Sequence, residues 1–128
     1  MAFYAYLESE QKVLPVGHII KYDGVDDNYG GGYDNNTGIF TCPTTGLYLF
    51  NVFIHPVHVS LGAVSLKRNG GSLTHAIAQP SFNGQDLIGS TARPVWLNQG
   101  DRVWVEVILK QTDMWSSYTT FSGHLVHR

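Results

Sequence analysis

The stretch Gly46–His55, GLYLFNVFIH, alternates in the period of a strand, with Tyr48, Phe50, Val52 and Ile54 on one face. Leu47, Leu49 and Phe53 fill the other face, interrupted only by Asn51. An antiparallel strand with one face in water should not be apolar on both. The same excess recurs in DRVWVEVIL, where Val103, Val105, Val107 and Leu109 oppose Trp104, Glu106 and Ile108. It recurs again in PVWL, with Trp96 opposite Val95 and Leu97, and in AFYAYL, where Tyr4 and Tyr6 alternate with Phe3, Ala5 and Leu7. Four strands with a second apolar face point to a subunit interface, since only solitary exposed aromatics need no explanation.

No stretch places apolar residues at helical spacing. Strands are predicted at Phe3–Leu7, His18–Tyr22, Gly38–Thr41, Gly46–His55, Ala63–Arg68, Leu73–Ala78, Leu87–Ala92, Val95–Leu97, Asp101–Leu109 and Thr119–His127. The segments GVDDNYGGGYDNN, RNGG, FNGQD and NQGD read as loops and turns between them. RNGG is the strongest hairpin signal, because Asn-Gly accepts the positive φ angles of a tight turn. About ten short strands at this spacing predict an all-β sandwich or barrel. With 128 residues, no linker and no repeat, one domain spanning 1–128 is expected.

Composition sharpens the interface reading. Charged residues make up 14% of the chain, against a typical share of about 25%. A net charge of −2 with scattered Lys and Arg argues against nucleic acid. No apolar run is long enough to insert in a bilayer. The single Cys42 excludes an internal disulfide, and a lone Cys beside Phe40 is expected to be buried, reduced and slow to alkylate. Met1 is followed directly by a strand, so a signal peptide or stalk is not visible.

The pattern Asn28, Tyr33, Phe40, Gly46, Tyr48, Phe50 resembles the signature of the complement C1q globular-head family. Tyr22 stands where Phe is usual, and Val52 where the last aromatic belongs. LPVGHIIKYD, GGGYDNNTGIF, KRNGG, GDRVWVEV and TTFSGHLV extend the likeness over nearly the whole chain. The motif residues themselves read as structural: Tyr48 and Phe50 as core aromatics, with Phe40 and Phe121 plugging the sandwich beside them. Gly46 is expected to supply unusual backbone angles at strand entry, and Gly123 a close approach or bulge within a strand. The resemblance implies a ten-stranded jelly-roll β-sandwich, related to tumour necrosis factor and assembled as a homotrimer. Neighbouring subunits would then cover the second apolar faces, with Leu47, Leu49, Trp104 and Ile108 as interface candidates.

Enzyme readings fail on the residues. There is no Gly-x-Ser-x-Gly elbow, no glycine loop opening a helix, no His-Glu-x-x-His and no His-x-His pair of the cupin kind. His55 and His58, like His124 and His127, are three apart, which on a regular strand points them to opposite faces. Asn35-Asn36-Thr37 is a glycosylation sequon in a loop. The family resemblance further implies calcium as a possible cofactor, for which Gln85 and Asp86 are the candidate ligands, their oxygens suiting that ion. It also implies a secreted, extracellular protein similar to the short invertebrate C1q-domain proteins. Its expected role is innate-immune pattern recognition: binding carbohydrate or microbial surface glycans through Tyr29, Tyr33, Asp86 and Trp115, in the loops Asp23–Tyr33 and Ser81–Asp86 and beside them. Aromatic faces suit the apolar C–H groups of sugar rings. A trimeric signalling or adhesion ligand for a protein receptor, and an extracellular metal-binding or matrix protein, are the alternatives.

Overall fold

The structure is a computed structural model that describes residues 1–57, 62–78, 88–108, 112–114 and 118–128, without the side chains of Val13 and Thr112. The described residues contain twelve strands and no helix. Two five-stranded antiparallel sheets form the sandwich. The first is ordered β3 (Gly24–Tyr29), β1 (Ala2–Tyr6), β12 (Thr120–His127), β6 (Gly46–Ile54), β9 (Gly89–Leu97). The second is ordered β4 (Tyr33–Asp34), β5 (Ile39–Thr41), β10 (Arg102–Val107), β7 (Gly62–Arg68), β8 (Gly71–Ala78). A small extra sheet pairs β2 (Gln11–Leu14) with β11 (Thr112–Met114). This is the jelly-roll sandwich the sequence predicts, and no helix is long and apolar enough to cross a membrane among the described residues.

The core is aromatic. Phe3 stacks on Phe40 at 4.9 Å and on Tyr33 at 5.2 Å, and meets Phe121 edge-on at 4.9 Å. Phe50 and Tyr48 continue the cluster on β6, and both are fully buried. Such offset and edge-to-face pairs add about 0.5–1.5 kcal/mol each beyond the area they bury. Gly123 shows why a strand interior needs glycine here: a Cβ would stand 2.6 Å from the Phe50 ring and 2.9 Å from that of Phe3. Gly46 also serves close packing, because its Cβ would meet Leu125 at 2.6 Å and the His127 carbonyl at 2.7 Å. The expectation of special backbone angles is corrected, since Gly46 is not among the positive-φ residues.

The RNGG hairpin is as predicted: Arg68 pairs with Gly71 across Asn69 and Gly70, at φ of 50° and 94°. Four other expectations are corrected. GVDDNYGGGYDNN is not simply a loop, because it supplies β3 and β4. β3 is a mostly exposed edge strand held by backbone pairing, and β4 is two residues long with only Tyr33 in the core, so hydrophobic periodicity misses both. Asn28 bridges them, its Nδ2 donating to the Tyr33 carbonyl at 2.8 Å and its Oδ1 accepting from the Tyr33 N–H at 3.2 Å. His18–Tyr22 is not a regular strand. It touches β10 through bonds such as Ile20 N–H to the Val105 carbonyl at 2.9 Å and a single bridge, Ile19 with Glu106. The strands expected on either side of Pro94 are one strand, β9. Pro94 is tolerated because β9 ends its sheet, where a missing N–H costs no second ladder. Finally, β2 and β11 were not expected at all.

Candidate functional site

Register places the residues of the first sheet's outer face in rows. Tyr4 on β1 lies opposite Ser122 on β12, which lies opposite Asn51 on β6 and then Ala92 on β9. One row along, Tyr6, Thr120, Phe53 and Ser90 align in the same way. Large aromatics therefore flank a floor of Ser122 and Thr120, and that difference in side-chain size hollows a groove of about 670 Å³. Ile88 and Tyr118 complete its walls, and Asp26 closes the β3 side. Tyr4 is 41% exposed, Phe53 42%, Ile88 48% and Tyr118 67%. Farther along the same face, Leu47 lies opposite Trp96, which is half exposed. So many large apolar side chains on one sheet face are more than the scattered exposure of an ordinary surface.

One end of the groove is acidic. The charge of Asp26 raises the pKa of the Tyr6 hydroxyl, aided by burial, by Glu8, by a hydrogen bond to Asp26 and by Asp23. The phenol spends its one O–H on Asp26, so a partner bringing a cation or a hydroxyl donor would find acceptor oxygens there.

The sequence-predicted residues separate into four places. Leu47 and Leu49 lie half-buried on this outer face, and Tyr29, 69% exposed, stands at its margin opposite Ala2. Trp104 and Ile108 lie half-buried on the outer face of the other sheet, so no single flat contact joins them to Leu47 and Leu49. Trp104 is engaged within its own chain: its indole N–H donates to Glu106 at 3.2 Å, and Glu106 pairs with Lys67 at 3.8 Å. Tyr33 is corrected. Its ring is 4% exposed and stacked on Phe3, and its hydroxyl is spent on the Tyr22 backbone, so it offers nothing to a sugar. Gln85, Asp86 and Trp115 lie outside the described residues, as does His58.

Among the described residues, no three His, Cys, Asp or Glu side chains gather as a metal site. His55 is nearly buried, its backbone N–H donating to Thr119 Oγ1 at 3.2 Å. His18 is pushed below the ordinary imidazole pKa by burial, with Lys21 adding to it. Cys42 is buried as expected, its thiol donating to the Thr44 carbonyl at 3.1 Å.

Sequence reasoning named the aromatics of β1 and β6 and the acidic stretch that carries Asp26, but missed Ser122, Thr120, Ile88 and Tyr118. Their role depends on cross-strand register, which no local pattern carries.

Comparison with known proteins agrees with this architecture. Residues 2–126 match the C1q domain family. Complement C1q tumor necrosis factor-related protein 6 of Mus musculus is 32% identical over 111 residues, which cover 82% of this chain. The match spans 41% of that relative's length. Among solved structures, the globular domain of zebrafish complement 1qA superposes with a TM-score of 0.83 at 20% identity, covering 99% of this chain and 98% of that one. Eiger TNF from S. frugiperda follows with 0.78 at 15% identity, covering 96% and 89%. The chain belongs to the C1q domain family.

Proposed function

We propose that this chain is the head of a secreted, extracellular homotrimeric recognition protein that binds carbohydrate or microbial surface glycans. The observation that carries the proposal is the aromatic outer face of β1, β6, β12 and β9, with its groove of about 670 Å³. Covering Tyr4, Phe53, Tyr118 and Trp96 with neighbouring copies removes an apolar surface from water at roughly 25 cal/mol per Å². Three copies of one weak site on a rigid body then gain avidity without any new contact. The ligand surface falls to the edge and loop region around Tyr29, whose exposed ring and neighbouring Asp26 and Asp27 suit a sugar's apolar face and hydroxyls. Calcium held through Gln85 and Asp86 belongs to the same proposal.

Sedimentation tests the assembly, and a glycan array run with and without a chelator tests the ligand. A monomer at micromolar concentration refutes the first part, and an array blank in the presence of calcium refutes the second. Relatedness to a tumor necrosis factor-related protein favours one other reading, a trimeric ligand for a protein receptor. A blank array from an intact trimer would favour it.

A further inference from the structure

We propose that Asn35 carries an N-linked glycan, standing on the flank of the sandwich and clear of the aromatic face. The inference rests on the extracellular reading above. Asn35-Asn36-Thr37 is the chain's single Asn-x-Ser/Thr triplet, and neither Asn36 nor the following Gly38 is a proline that would spoil it. The structure puts it at the tip of the hairpin joining β4 to β5, with Asp34, Asn35, Asn36 and Thr37 all exposed.

The fold of this tip does not depend on the Asn35 side chain. Asp34 holds the turn: its carbonyl accepts from the Gly38 N–H at 2.8 Å and the Thr37 N–H at 3.3 Å, and its carboxylate accepts from the Asn36 N–H at 2.9 Å. Gly38, at φ +80°, completes the reversal under the Ile20 carbonyl. Asn35 makes one long bond, from Nδ2 to the Asp23 carbonyl at 3.3 Å. Glycosylation replaces one of the two hydrogens on that nitrogen, so even this bond can survive the modification.

Position supplies the second half of the argument. β4 ends the second sheet and β3 ends the first, and Asn35 reaches from the β4–β5 tip to Asp23, which leads into β3. A sugar here shields the β4 edge and the Asp23 end of β3, the end away from Tyr29, where unpaired backbone invites pairing with another chain. Tyr4, Phe53 and Trp96 lie on the outer face of the first sheet, so the glycan leaves the proposed assembly surface bare.

The test is translation of the chain behind a secretory leader in the presence of microsomes, reading only protease-protected chains. They should gain one increment removable by an N-glycan amidase. Asn35→Gln and Thr37→Ala should abolish it, and Asn36→Gln, which keeps the triplet, should retain it. Protected wild-type chains without the increment overturn the proposal, whatever the folding of any variant. Protein secreted from insect cells should then sediment in the same oligomeric state with the glycan as in Asn35→Gln. Dissociation of the glycosylated form alone overturns the placement. A glycan array that stays blank bears on the ligand reading and leaves the Asn35 result untouched.

Discussion

Two tyrosines in the core should respond in opposite directions to the same chemical change. Tyr22 is fully buried, and its hydroxyl has no hydrogen-bond partner among the described residues. A buried hydroxyl left unpaired costs about 1–3 kcal/mol. Tyr22→Phe removes that cost and forfeits only a few contacts of one oxygen, so a net gain of about 1–2 kcal/mol is expected. Phe is also the residue the C1q-family signature carries at this position. Tyr33 is the reverse case. Its hydroxyl accepts from the Tyr22 N–H at 3.0 Å and donates to the Tyr22 carbonyl at 2.9 Å, closing both backbone groups of one buried residue. Tyr33→Phe strands both, at a cost of about 2–4 kcal/mol. For a chain of this length, 1 kcal/mol moves the thermal midpoint by about 3–5 °C. Tyr22→Phe should therefore raise it by roughly 3–10 °C and Tyr33→Phe lower it by roughly 6–20 °C. Chemical denaturation followed by circular dichroism, at one fixed protein concentration because assembly couples to stability, reads both. A Tyr22→Phe variant less stable than wild type by 1 kcal/mol would refute the reasoning. So would a neutral Tyr33→Phe.

Three further outcomes are expected. Burial raises the pKa of both Tyr22 and Tyr33 above the usual value of 10.0, so their contribution is fully present below that pH. As pH rises past it the unfolded chain releases protons that the folded chain keeps, and stability falls by up to about 1.4 kcal/mol per pH unit for each tyrosine. Denaturant midpoints taken from neutral to strongly alkaline pH should show that fall, shallower in Tyr22→Phe. Phe53→Glu should convert the oligomer to monomer in sedimentation while Trp104→Lys leaves it assembled, because only Phe53 lies on the groove face; the opposite pattern would place the interface on the second sheet. Gly123→Ala should cost about 1–3 kcal/mol by overpacking Phe50 and Phe3, and unchanged denaturation would show that those rings yield freely.

The strands that bury an apolar face were legible because their chemistry is local. Alternation in β6 and β10 and the Asn-Gly turn between β7 and β8 each declare themselves within ten residues. β3 and β4 were not legible, since GVDDNY is mostly exposed and YD is two residues long, with a single buried side chain in Tyr33; both owe their strand geometry to the neighbours β1 and β5. Tyr33 was misjudged for a related reason. A tyrosine among glycines and acids reads as a loop aromatic, and only the return of Tyr22 beside it shows where the hydroxyl goes.

The second apolar face of β6 shows what sequence can and cannot say of a surface. Leu47, Leu49 and Phe53 establish that this face is apolar, and Trp104 and Ile108 say the same of β10. The two strands belong to different sheets, and their outer faces look away from each other. What separates them chemically is the company each keeps. Trp104 has Glu106 and Lys67 beside it, so its polar edge and its surroundings are already satisfied. Phe53 is flanked by Thr120 and Ser90, too small to cover an aromatic ring, with Tyr6 beyond Thr120. An apolar outer face is thus a satisfied surface on one sheet, where Trp104 is half-buried, and an incomplete one on the other, where Phe53 stands 42% exposed.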